Sequence, residues 1–277
     1  MVQVLKKSVG RQNDNMKRKK LFFLIASLGM FLVAVFLFIR KAATGGFEKE
    51  LVPSFTEPQS VWNDIHGPYI LTRWKQDGAY AAFTPENELL GCWSVAFAQV
   101  LAFHRLSPSG NVQYITSDGK IINQNLHDSI NWGKINNYFD SDSLSDLTWE
   151  TARFCYQVAT VLQKDFGTGE YKDISIVSHE VSEHYRCMVK KVDSDLIGAI
   201  ESEIHLGRPV IAYFNDILAI KIVRNGHAVV VDGSAEDENN LYIHLNCGWG
   251  GDSDGWYEFR TLADQRKLLY IFTVVPL

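Results

Sequence analysis

Cys92, His227 and Asn246 are the residues of this 277-residue chain whose types and order make covalent chemistry readable. Gly91-Cys92-Trp93-Ser94 stands where a loop meets a helix-forming run, CWSVAFAQVLAFHR. A thiol there gains twice from position. The helix N-terminus favours the thiolate, and unpaired N–H groups of the first turn can face a developing oxyanion. A thiolate nucleophile also needs an imidazole for proton traffic. His227 opens an apolar strand in Asn225-Gly226-His227-Ala228-Val229-Val230-Val231-Asp232-Gly233, where a ring without a partner is costly and where Gly226 lets a backbone or ligand approach. Asn246 closes the next strand candidate and can bond the far ring nitrogen.

The order Cys…His…Asn, with Cys92 and His227 135 positions apart, is a papain-like spacing. At these residues the sequence resembles the streptopain family of papain-fold cysteine peptidases. The matching pieces are Gly91-Cys92 with Ala96, Ala98-Gln99-Val100 and His104, then Gly226-His227-Ala228-Val229 with Asp232-Gly233. They continue in His244-Leu245-Asn246, Gly248-Trp249-Gly250-Gly251 and Ser253-Asp254-Gly255-Trp256-Tyr257. Asn131-Trp132 and the stretch from Leu71 to Pro85 match more weakly, and the latter points to Gln76. The resemblance implies peptide-bond hydrolysis through a thioester, with a preference for an apolar side chain two residues before the cut. It makes Cys92 the nucleophile, His227 the general base and acid, Gln76 an oxyanion donor and Asn246 the imidazole orienter. Trp249 shields that last contact, and Trp93, Gly226 and Trp249 are the candidate substrate-contacting residues.

Three departures qualify the match. Cys247 follows Asn246 where the family usually has Trp, and Asn225 replaces the first glycine of Gly-Gly-His. Only about thirty residues separate the apolar N-terminal run from the domain, too few for the family's usual long inhibitory pro-segment. These departures motivate two rivals: a catalytically silent binding module, and a Cys-His hydrolase or transamidase of cell-wall peptides.

The elements that must position these residues fall into two groups. Helices are expected over Cys92 to about Arg105, Thr148 to about Gln163, and from an Asp193 cap to Leu206 with Gly207 as its stop. Strands are expected at Pro209–Phe214, Ala228–Val231, Leu241–Leu245, Trp256–Phe259 and Leu268–Val275. Helices first and strands later predict an α+β domain with the papain-like fold, a helical half and an antiparallel sheet or barrel half, with the site in the cleft between.

Charge organises the rest. Residues 1–41 hold nine Lys/Arg and one acid, hence +8, while the other 236 residues hold eighteen basic and thirty-one acidic side chains, hence −13. So acidic a body does not suit a phosphate backbone, and no nucleic-acid partner is expected. Leu21 to Ile39 is an uncharged apolar run, roughly 28 Å long as a helix and so near a bilayer's hydrocarbon thickness. Its positive flank predicts a cytoplasmic N-terminus with the remainder outside. The expected order is a basic tail (1–20), a transmembrane signal-anchor helix (21–41), a tether (42–60) and the peptidase domain (61–277). The alternatives to an anchor are a cleaved signal peptide and a buried core helix.

Four cysteines do not make a disulfide framework; Cys155 lies on the buried stripe of its helix, and a 155–187 pairing stays open. His66, His104, His127, His179, His184, His205 and His244 show no paired metal-ligand spacing, so neither a metal nor a cofactor is expected. Gly248–Gly251 reads as a turn packed beside the site rather than a phosphate loop. Glu236-Asp237-Glu238 reads as a solvated hairpin tip.

Overall fold

The computed structural model describes residues 51–126, 129–171, 177–216 and 226–277. The basic tail, the predicted membrane helix, the first part of the tether and Asn225 lie outside the described residues. No helix among the described residues is long and apolar enough to cross a membrane.

The chain runs β1 (Asn63–His66), α1 (Cys92–Phe103), β2 (Asn111–Ile115), β3 (Ile121–Asn125), α2 (Trp149–Val161), α3 (Val177–His184), β4 (Cys187–Val192) and α4 (Leu196–His205). It continues through β5 (Val210–Asp216), β6 (Gly226–Glu236), β7 (Leu241–Asn246), β8 (Gly255–Glu258), α5 (Phe259–Gln265) and β9 (Arg266–Pro276). One sheet has the order β4-β9-β5-β6-β7-β8, with β1 on β6, and every pairing in it is antiparallel. β2 and β3 form a separate hairpin. The described residues therefore combine helices with an antiparallel sheet, the α+β class that was expected.

α1 is buried from Trp93 through Leu101 without a polar stripe, as a helix enclosed on all sides must be. It packs on α2 on one side and on β5 and β6 on the other. Trp93 enters an aromatic stack between the layers. Its ring lies 5.2 Å from Tyr213 and 6.0 Å from Tyr270, both stacked, with Phe272 edge-on at 5.7 Å. β6 is the organising strand. It is buried from His227 to Ala235 and pairs with β5 over its first half, β7 over its second and β1 at its end. Its ladder with β7 shifts register between Val231 and Gly233, a bulge that turns Asp232 out of sequence. Asp232 then accepts the Ile70 N–H at 2.8 Å and meets His244 Nδ1 at 2.6 Å. The Asp-Gly and His pieces of the family motif thus hold the sheet to the 67–70 segment.

Several expectations need correction. The domain starts before residue 61: Leu51 is buried, Phe55 forms an antiparallel bridge with Trp256, and its ring packs on Trp62 and Tyr242. α4 begins at Leu196 after Asp195, which sits in the left-handed region at φ 47° and makes no side-chain cap, so Asp193 is not the cap residue. The halves are less segregated than expected, because the β2–β3 hairpin lies among the helices. β4 was unpredicted: its Met188 and two lysines are those of a half-exposed edge strand. The Glu236–Glu238 tip is a turn in which Asp237 accepts the N–H groups of Asn239 and Asn240.

Trp256 is fully buried between Trp62 and His244, beneath the Phe55 bridge. Trp256→Ala should lower the unfolding free energy by about 3–5 kcal/mol in urea titrations, whereas Val52→Ala, at an exposed position, should stay within about 0.5 kcal/mol.

Candidate active site

Cys92 is the first residue of α1, half-buried, and its thiol is free, as are those of Cys155, Cys187 and Cys247. The Gly91 before it adopts φ 82°, and a Cβ there would sit 2.6 Å from the Tyr171 hydroxyl, so only glycine fits. That hydroxyl caps the helix from outside. It accepts the Ser94 N–H at 3.1 Å, lies 2.9 Å from Ser94 Oγ and donates to the Leu90 carbonyl at 3.1 Å. Leu90 N–H in turn donates to the Gln76 carbonyl at 2.9 Å, which seats the Gln76 loop two residues before Cys92. Burial pushes the Cys92 thiol up from its ordinary value; main-chain hydrogen bonds from Ala228 and Trp93 and the nearby Lys164 ammonium pull against it. The Ala228 contact puts Sγ beside the residue that follows His227.

His227 is buried, and its ring is held by the chain leaving β7. Its Nε2 lies 2.8 Å from the Cys247 carbonyl, and Trp249 stacks on it at 4.5 Å. A carbonyl only accepts, so Nε2 carries the proton and Nδ1 is the basic nitrogen. Burial lowers the His227 pKa to about 4, with the Cys247 carbonyl opposing the shift. Both shifts act toward the uncharged pair, thiol and neutral imidazole.

Asn246 does not orient the ring from its side chain, as expected; it holds the chain that does. Its Oδ1 accepts from Gln99 at 2.9 Å and from Gly248 N–H at 3.2 Å, while Nδ2 donates to the Thr72 carbonyl at 2.7 Å. Thr72 Oγ1 donates back to Gln99 Oε1 at 2.8 Å. Thr72, Gln99 and Asn246 form a buried ring of hydrogen bonds that joins the Gln76 loop, α1 and the end of β7. Asp254 completes the turn by accepting the Cys247 N–H at 2.7 Å, and burial raises its carboxyl to about 6. Left-handed Gly248, Gly250 and Gly251 let this turn fold against Val95 and Trp74, which matches the packing role read from the sequence.

The remaining candidates divide. Gln76 is half-buried beside Cys92, and its amide makes no hydrogen bond among the described residues, which suits an oxyanion donor. Trp249 stacks on the His227 ring. Trp93 is no cleft wall: the residue after Cys92 points under the helix into the aromatic core and is 6% exposed. Gly226 is closed on its free side, since a Cβ there would meet Tyr213 Oη at 1.9 Å. Sequence reading missed Lys164, which is 2% exposed, donates to the Gly169 carbonyl at 2.8 Å and lies over the Phe166 and Tyr171 rings. It forms no ion pair among the described residues, and it sets an ammonium near Cys92, with the Glu88 and Asp165 charges within electrostatic reach. No local pattern marks Lys164 or Tyr171.

A free thiol at the start of α1 and a buried imidazole at the start of β6 are thus brought to neighbouring main-chain positions, through the Ala228 contact. The signature of the peptidase C10 family matches residues 74–257, and the chain belongs to that family. Streptopain of Streptococcus pyogenes is 24% identical over 243 residues, which cover 80% of this chain and 59% of streptopain; the serotype M1 form gives the same figures. The chain thus spans about three-fifths of the length of these relatives. Among solved structures, active wild-type interpain A of Prevotella intermedia aligns with a TM-score of 0.62 at 18% identity, covering 79% of this chain and 98% of that one. A prointerpain A fragment from the same organism gives 0.61 at 17%, covering 88% and 81%. These two likenesses establish the fold.

Asn246→Ala strips partners from Gln99, Gly248 and the Thr72 carbonyl, so it should cost about 1–3 kcal/mol in denaturant unfolding. Because the residue is not on the ring, the variant should keep the parent's acid midpoint for Cys92 alkylation by iodoacetamide; a shifted midpoint places Asn246 on the imidazole after all.

Proposed function

We propose that this chain is a membrane-tethered, extracytoplasmic cysteine endopeptidase that hydrolyses peptide bonds of protein substrates through a Cys92 thioester. The observation that carries this reading is the Cys92 thiol on an enclosed helix start, beside Ala228, the residue that follows a histidine whose tautomer is set by the Cys247 carbonyl. In the proposed cycle His227 Nδ1 takes the Sγ proton as the sulfur attacks the substrate carbonyl carbon. The oxyanion lies toward the first-turn N–H groups of α1 and the Gln76 amide. Collapse expels the amine, which receives the proton from His227, and leaves an acyl thioester on Sγ. Water, deprotonated by His227, then adds to the thioester, and the acid departs as Sγ regains a proton.

The Cys247 departure does not argue for the silent rival, because the contact that holds His227 comes from a main-chain carbonyl that any residue at 247 supplies. Support for the membrane tether is the apolar run Leu21–Ile39 with its basic flank. Acidity of the body fits exposure outside the cytoplasm without requiring it.

Cys92→Ala and His227→Ala should each reduce cleavage of denatured casein by at least about 1,000-fold, and a thiol-alkylating agent should silence the parent. Casein cleavage by Cys92→Ala at the parent's rate overturns the reading.

The pH dependence has two parts. Activity requires the pair to hold one proton between them, so the profile should be a broad bell, with its acid limb set by the depressed imidazole and its alkaline limb by the raised thiol. For stability, His227 has a folded pKa of about 4 against 6.5 unfolded, so its contribution is complete above pH 6.5 and is lost as pH falls through 4. Asp254, raised to about 6, has the opposite sign: it favours folding when protonated and loses that contribution as pH rises through 6. His227→Gln should therefore remove up to about 3 kcal/mol of the parent's stability loss between pH 6.5 and 4, measured by urea unfolding at both pH values.

A further inference from the structure

Away from Cys92, β1 and the last turn of α4 bring together three metal-ligand groups that lie far apart in the sequence. Asp64 and His66 alternate along β1, and His205 ends α4. His66 Nε2 lies 3.0 Å from Asp64 Oδ1, and His205 Nε2 lies 3.6 Å from Asp64 Oδ2. The two imidazole centroids are 4.2 Å apart. One ligand atom from each residue falls within 4.8 Å of the others. The supports are rigid: Tyr69 Oη donates to the Ile204 carbonyl at 2.9 Å, next to His205, and β1 is laddered to β6.

The surroundings of the cluster are acidic. Glu201 stands one turn before His205 on α4, and Glu236 ends β6 across from Asn63. Their carboxyl groups interact directly, within electrostatic reach of His205. Two imidazoles in contact with each other and with one carboxylate form a donor set that a single divalent ion can satisfy at once.

We propose that Asp64, His66 and His205 bind a zinc-class divalent transition metal, with water completing the coordination. Two imidazoles and a carboxylate suit zinc, cobalt(II) or nickel(II), whereas calcium and magnesium take all-oxygen sets. On binding, each neutral ring carries its proton on Nδ1 and turns Nε2 to the ion, in place of its present contact with Asp64. The ion then clips β1 to α4, pinning the segment that leads from Leu51 into the sheet. Local spacing could not reveal such a site, because its histidines, His66 and His205, lie 139 positions apart in the sequence.

The test is zinc chloride titration of the full chain by calorimetry, with thermal unfolding in parallel. Both are done in a Cys92→Ala background, because a thiol beside an imidazole is itself a zinc ligand pair. The proposal expects one saturable equivalent and a zinc-dependent rise in Tm. His205→Ala should weaken binding by about tenfold or more and abolish the rise. His66→Gln should do the same, while His179→Ala, at an exposed histidine on α3, should change neither. No saturable binding overturns the proposal, as does zinc affinity in the His66→Gln/His205→Ala double variant equal to that of the background protein.

Discussion

One hydrogen bond, from His227 Nε2–H to the Cys247 carbonyl, sets the chemistry that the rest of the structure can support. It decides which ring nitrogen is basic, and it does so through main chain. The carbonyl is fixed from both sides. Asp254 holds the Cys247 N–H, Asn246 ties the preceding residue to α1 and the Gln76 loop, and the glycine turn brings Trp249 back over the ring. The identity of residue 247 is then secondary. A cysteine there is buried, with its sulfur 3.5 Å from the Ser253 carbonyl, and the orienting contact survives the change from tryptophan.

The same economy appears at the nucleophile. α1 has no side-chain cap of its own, and Tyr171 supplies one from a distant segment. Lys164 lies under that tyrosine as a buried cation. Burial lowers the Lys164 pKa, while the Cys92, Glu88 and Asp165 charges raise it. Desolvation alone would leave Cys92 inert; the helix-start N–H groups and the ammonium offset part of that cost.

Cys92, His227 and the glycine turn were legible because each couples a reactive or permissive residue to a local pattern, a helix start, a strand start or a run of left-handed positions. Helices α1, α2 and α4 and strands β5 to β9 followed from period, and α1 came within two residues of its expected end, whereas α3, α5 and β1 to β4 did not. What stayed hidden depends on contacts across the fold. Asn246 reads as an imidazole partner in one dimension, but the ladder with Val230 turns its amide toward Gln99 and Thr72. Trp93 reads as a cleft wall until α1 is seen enclosed on all sides. The hairpin and β4 were missed because their alternation is short, with Val112, Ile122, Cys187 and Val189 the few buried apolar positions among polar ones. Residues 51–60 read as tether because their docking rests on a few aromatic contacts, chiefly Phe55 with Trp62 and Tyr242.

The most direct measurement is nitrogen-15 NMR of the histidine-labelled full chain at pH 7, with His227 assigned by its loss in His227→Gln. The account predicts a neutral His227 ring protonated at Nε2, which becomes charged only near pH 4. An imidazolium at pH 7, or a neutral ring protonated at Nδ1, would contradict it.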